Sequence, residues 1–229
     1  MSARVAASGS TPAPARALAT ACAVLPTLVL LPTMACTLAP APGAAGPVDE
    51  TLPPPGYGTL RQDEVTLRLV SGELEIQATP LAESVTRVTA PDTYERLSGM
   101  ARAHTPRAPE GSSLWLVSFF SDQPGIRFVP EEIQLISRGI RLRPDAILPV
   151  TPGWGQRRLQ QRRTEMAVYA FTQPVDLEAD LVLAYQLEET SSWSGILARV
   201  QAERARARAR AGIGPQRSQP SSSSLGLFL

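Results

Sequence analysis

The chain has 229 residues, with 22 basic residues, all of them Arg, against 21 acidic ones and a formal net charge of +1. That near-neutral balance excludes a whole-chain nucleic-acid binder, which needs a strong positive excess to neutralise phosphates. Two cysteines, Cys22 and Cys36, both near the N-terminus, and a single histidine, His104, exclude a disulfide scaffold, a zinc cluster and a multi-histidine metal site in the body of the chain, so no metal and no cofactor is expected.

Residues 1–16 carry Arg4 and Arg16 and no acid, and residues 17–35 (ALATACAVLPTLVLLPTMA) are uncharged and rich in Leu, Val and Ala. A basic stretch followed by an apolar one has the layout of a secretory signal. It runs into Thr33-Met34-Ala35-Cys36, which resembles the lipobox of bacterial lipoprotein precursors, with Thr33 where that family favours Leu. The resemblance implies that residues 1–35 are a signal peptide cut after Ala35, and that the Cys36 thiol receives a diacylglycerol anchoring the chain to a membrane. Cys22, in Ala19-Thr20-Ala21-Cys22, has too few apolar residues before it to serve instead. The same stretch also admits an uncleaved membrane helix, which Pro26 and Pro32 disfavour, or an ordinary secretory leader cut after Ala41 or Ala45, the first of which Pro42 obstructs. Thr37 instead of Asp after the cysteine implies, in a host with two membranes, the periplasmic face of the outer membrane.

Residues 36–58 are mostly Pro, Gly and Ala, include Pro53-Pro54-Pro55, and show no apolar periodicity, so they are expected to form a tether. In a polyproline-like form, at about 3.1 Å per residue, it could hold a domain up to about 70 Å from the membrane.

Beyond the tether the period becomes two. Val65, Leu67 and Leu69 alternate with polar residues, Ser71-Gly72 intervenes, and Leu74, Ile76 and Ala78 alternate again, predicting a β-hairpin with one buried face. Ala90-Pro91-Asp92-Thr93 predicts the start of a short helix ending between Met100 and His104, with Tyr94, Leu97 and Ala101 on one side. Leu114-Trp115-Leu116-Val117-Ser118-Phe119-Phe120, apolar on both faces, predicts a central core strand. Further strands are expected at 133–136, 140–142, 146–148, 166–171 and 181–187, separated by turn residues. Seven or so short strands predict an antiparallel sandwich over residues 59–190.

In the order of these pieces, notably Phe128-Val-Pro-Glu-Glu-Ile133 before a turn at Gly139 and Val168-Tyr-Ala-Phe171 late in the domain, the chain resembles the immunoglobulin-like, telokin-like sandwiches of exported bacterial proteins. The resemblance implies a mainly β, immunoglobulin-like antiparallel β-sandwich with one short inserted helix and a C-terminal helix. It carries no catalytic residues.

Residues 191–212 are expected to form that last helix, N-capped within 190–192, with Trp193, Ile196, Leu197 and Val200 as its apolar stripe and Gly212 and Pro215 ending it. Residues 213–229, with four consecutive serines, are expected to be disordered. The alternating Arg204, Arg206, Arg208 and Arg210 step about 200° per pair on a helix. They fall on two faces, suiting a solvated helix end or contact with lipid headgroups more than a nucleic-acid groove.

The candidate interaction surface is Trp154 with Arg157, Arg158, Arg162 and Arg163, since an aromatic residue among guanidinium groups can bind glycans, acidic polymers or a protein. The residues favour the plainer reading, a polar loop whose Trp packs on the sandwich edge. His104 has no second His or Cys to work with. Glu131-Glu132 and Glu188-Glu189 are sequence neighbours that point to opposite faces on a strand, so no catalytic constellation is visible. The function expected is that of a membrane-anchored envelope lipoprotein with a non-enzymatic interaction domain and a protein partner. A module for glycan or an anionic surface, and a carboxylate- or serine-dependent hydrolase, are the alternatives.

Overall fold

The computed structural model describes residues 52–212, so the leader, Cys36 and the Ser-rich tail lie outside the described residues. The strands are β1 (Leu67–Ser71), β2 (Leu74–Pro80), β3 (Ser113–Phe120), β4 (Ile133–Ser137), β5 (Ile140–Leu142), β6 (Ala146–Pro149), β7 (Thr164–Phe171), β8 (Leu181–Tyr185) and β9 (Glu188–Thr190). The helices are α1 (Glu83–Thr86), α2 (Pro91–His104) and α3 (Trp193–Arg210). Every strand pair is antiparallel, in a sheet of order β1-β2-β3-β7-β6 and a second of order β5-β4-β8-β9.

Alternation dictates which faces meet. Leu67 and Leu69 turn inward while Arg68 and Val70 turn out, and the register Leu69–Ile76–Phe119 and Leu67–Ala78–Val117 carries the inward side across three strands. Ile133 and Leu135 on β4, Leu142 on β5 and Leu181, Leu183 and Tyr185 on β8 close on that side from the other sheet in one buried cluster. β1 also runs beside β8 and β9, bringing the two sheets together along that side. The architecture is thus mainly β, with two antiparallel sheets and a C-terminal helix.

The predicted elements are present with instructive shifts. Val65 belongs to a 3-10 turn, Gln62–Val65, so β1 begins at Leu67. The strand expected over 181–187 breaks after Tyr185, where Gln186 adopts a positive φ of 54°, and a ninth strand returns. β3 is apolar on both faces, but not because both face the second sheet. Its outer side, Leu114 and Leu116, packs with Val168 on β7, Leu148 on β6 and Leu97, Met100 and Ala101 of α2. α2 begins with Pro at its first turn, as the sequence implies, but it buries Thr93, Leu97 and Ser98 while Tyr94 stays half-buried.

α3 packs into the same core. Trp193, Ile196, Val200, Glu203 and Ala207 form its buried stripe, and the Trp193 ring lies 6.1 Å from that of Trp115. Glu203 occupies a position where an apolar residue would be expected. It is 1% exposed, and it accepts hydrogen bonds from Thr59 Oγ1 at 2.8 Å and Arg210 Nη2 at 2.7 Å. Arg210 also donates to the Tyr57 carbonyl. The expected tether therefore ends short of residue 58: Pro53 and Gly58 are buried, and Leu60 bonds Val88 and Ala90 through its backbone.

Candidate functional site

Residues 150–163 connect β6 to β7, and two apolar side chains fix this segment. Pro152 starts a 3-10 turn, Pro152–Gln156, that directs Trp154 inward. The Trp154 ring is 6% exposed and lies 5.2 Å from Phe128, 5.6 Å from Phe119 and 6.2 Å from Tyr169. Leu159 is fully buried and forms the second anchor. Trp154 is therefore a core residue and presents no ring face to a ligand, so the surface expected around it consists of the arginines alone.

Backbone hydrogen bonds hold the segment between those anchors. Leu159 bonds Ile126 and Gly125 at 2.8 Å each, Phe128 donates to the Arg157 carbonyl at 3.2 Å, and Arg162 donates to that of Ser121 at 3.0 Å. Arg157 and Arg162 both adopt left-handed backbone conformations, φ 51° and 56°. For a residue with a Cβ this costs roughly 1 kcal/mol or more, so surrounding structure must impose it. The result is a braced loop with outward arginines.

Arg158, Arg162 and Arg163 are exposed around a cleft of about 550 Å³. Arg162 lies 3.7 Å from Asp122, and among the described residues Arg158 and Arg163 pair with no carboxylate. Arg157 turns the other way, pairs with Glu131, and with Arg127 lines a neighbouring cleft of about 520 Å³ that shares Arg158. The structure thus brings three of the four predicted arginines to one cleft and the fourth to the next.

Three residues of this region were not singled out by sequence reasoning. Glu165 is 9% exposed on the cleft wall and accepts the hydroxyl hydrogen bond of Thr151, whose oxygen in turn accepts from Met166 N at 3.0 Å. A Cβ on Gly153 would lie 2.8 Å from Glu165 Cδ, so the turn passes the carboxylate only because residue 153 lacks a side chain. Arg127 joins through a backbone bridge to Arg158. A signal for Glu165 existed: it is the acid that directly follows Arg162-Arg163-Thr164.

Several of the other polar groups that the sequence brings to notice have structural partners. Arg204, 13% exposed, donates to Ser84 O at 3.0 Å and Glu178 at 2.7 Å, so the Arg-rich helix docks through it. Arg206 remains largely exposed. His104 Nδ1 lies 2.9 Å from the Met100 carbonyl oxygen, and Arg141 takes Glu189. Tyr169 donates to Pro130 O and Tyr185 OH accepts from Val129 N, each at 3.0 Å, and burial first of all pushes both phenol pKa values up.

Among the described residues no group of three or more His, Cys, Asp or Glu is arranged to hold a metal ion, and no helix is long and apolar enough to cross a membrane. No protein family, curated protein or solved structure matches the chain.

Proposed function

We propose that the chain is an exported protein, held to a membrane by a lipid on Cys36, whose β domain works by binding instead of catalysis. The observation that carries the binding reading is the braced connection between β6 and β7. Trp154 and Leu159 fix it to the core, yet Arg158, Arg162 and Arg163 point to solvent. Binding residues characteristically occupy loops positioned by a rigid scaffold, and rigidity beforehand lowers the entropic cost of association. The two-sheet core and the Phe128-to-Ile133 segment held by Tyr169 and Tyr185 support an immunoglobulin-like assignment within the β class.

The anchor reading rests on the uncharged stretch before Cys36 and the small Ala35 beside it. Two acyl signals hold a protein to a bilayer far more firmly than one, since each buried methylene contributes about 0.8 kcal/mol. The test combines both parts. Cells expressing the wild type are labelled with a fatty-acid analogue, and the envelope is cross-linked and the chain recovered. Wild type should label and fractionate with membranes, Cys36→Ser should do neither, and the wild type should carry a cross-linked partner or ligand. A Cys36→Ser variant that still labels and sediments with membranes overturns the anchor.

A further inference from the structure

We propose that the Arg158–Arg162–Arg163 cleft is a binding site for an acidic saccharide, an anionic sugar whose acid group meets the guanidinium groups while its hydroxyls meet Glu165 and the neighbouring amides. This deepens the binding reading above and rests on it.

Three arginines lining one cleft call for an anion, and Arg presents paired N–H donors that match the two oxygens of a carboxylate or acid ester. A plain anion is a poor fit, because the wall also carries Glu165, whose ionised carboxylate only accepts hydrogen bonds and repels negative charge. Glu165 is satisfied by Thr151 alone and forms no ion pair among the described residues, although arginines surround the cleft. A ligand with hydrogen-bond donors a few ångströms from an acid group meets both demands, and a sugar ring bearing a carboxylate or acid ester is that ligand. Gln156, Gln160 and Thr164 add side chains that donate and accept, as ring hydroxyls do.

Shape and the lack of an aromatic ring among the residues lining the cleft separate this class from its rivals. All three tryptophans are buried, so no indole is left to stack the bases of a single-stranded nucleic acid. Pro152 is the one apolar side chain lining the cleft, which gives a peptide little apolar anchorage. Arg158 lies between this cleft and the one holding Arg127 and Arg157, so a chain of acidic sugars can continue from one to the other. Each volume lies within the range of small-ligand sites, roughly 300–1,000 Å³.

The test measures binding of the purified full-length chain to oligogalacturonates of increasing length, to their methyl esters, and to phosphatidylglycerol vesicles. Saturable binding to the free acids, strengthening as length allows both clefts to be filled and lost on esterification, is the expected result. Arg158→Ala with Arg163→Ala should weaken it at least about tenfold, the loss of one or two charge-assisted hydrogen bonds. The charge-matched pair Arg102→Ala with Arg107→Ala, on exposed residues elsewhere, should leave it unchanged. Glu165→Gln should weaken the saccharide while strengthening binding of inorganic sulfate. The proposal is overturned by no saturable binding to any free acid, by binding to vesicles alone, by equal losses from both Arg pairs, or by a Glu165→Gln variant indistinguishable from wild type. These outcomes do not touch the lipid-labelling result, and cross-linking to a protein partner without saccharide binding would leave the binding-domain reading standing while removing this one.

Discussion

Thr59 donates its hydroxyl hydrogen bond to the Glu203 carboxylate at 2.8 Å, joining two residues 144 positions apart. The same carboxylate takes Arg210 at 2.7 Å and Arg206 at 3.6 Å. Two arginines of an otherwise acid-free run, Arg206 and Arg210, therefore gather on a single buried negative charge. Glu203→Ala should destabilise the domain by about 2–3 kcal/mol, since it strips a buried hydrogen-bonded network of its acceptor. Denaturant unfolding measures this, and a change below about 0.5 kcal/mol would mean that the clamp is ornamental.

The same contact sets a pH dependence. Burial pushes the Glu203 pKa up, but hydrogen bonds from Arg210 and Thr59 and the Arg210 charge outweigh it and hold the carboxyl below its ordinary value. Asp176 is lowered by the Glu178 backbone and by Arg138, and Asp145 by the Thr172 backbone and hydroxyl. A depressed carboxylate contributes stability that is fully present above its unfolded pKa, about 4, and lost as pH falls through the folded value. The Tm should accordingly be flat from neutral pH to about 5 and fall below about 4. Glu203→Gln should start lower and fall less steeply, and parallel profiles would assign the acid loss to other carboxylates.

α2 is the reason β3 can be apolar on both faces. Leu97 is fully buried against Leu116 and Val168. Leu97→Ala should cost about 2–4 kcal/mol, the transfer term plus a cavity that the rigid sheet cannot collapse around. Hydrogen exchange should show the extra opening in α2 and β3 before β4 and β8. Uniform opening across both sheets would indicate that α2 is not a separable layer.

How much of this was legible in the sequence follows from what each residue reports. The hairpin of β1 and β2 was readable because alternation survives wherever one face is wet, and α2 because Pro91 marks a first turn. β9 was not, since Glu188-Glu189-Thr190 has no apolar residue and exists as a strand only through pairing with β8. The apolar run of β3 marks a strand, but its second cover, the helix α2 that precedes it in the chain, leaves no trace in a period of two. The arginines of the cleft were visible as a cluster. Which way Trp154 faced was not, because a loop has no period to assign a side, and Glu165 looked like one more charge at the end of a polar run.

Trp154 gives that distinction a measurable form. Trp154→Ala should cost about 3–5 kcal/mol as a core truncation, while Arg158→Ala should change stability by less than about 0.5 kcal/mol. With Trp115, Trp154 and Trp193 all under a tenth exposed, iodide should barely quench the native fluorescence and should quench it strongly after unfolding. A readily quenched native fraction that disappears in Trp154→Phe would place that ring at the surface instead.

The turn beneath the cleft provides an internal control, because Gly153 and Gly155 share one 3-10 turn and differ in what surrounds them. A Cβ at 153 would meet Glu165, with Cδ at 2.8 Å and Oε2 at 3.1 Å, whereas a Cβ at 155 meets nothing within 4 Å. Gly153→Ala therefore has to displace a nearly buried carboxylate and break its hydrogen bond from Thr151, at a cost of about 1–2 kcal/mol. Gly155→Ala adds a methyl group in open space and should change stability by no more than about 0.5 kcal/mol. If the carboxylate is the obstacle, Glu165→Ala in the Gly153→Ala background should recover part of the loss, a coupling that a double-mutant cycle reads directly. Additive losses would mean that the glycine is required by the backbone of the turn and that Glu165 moves aside freely.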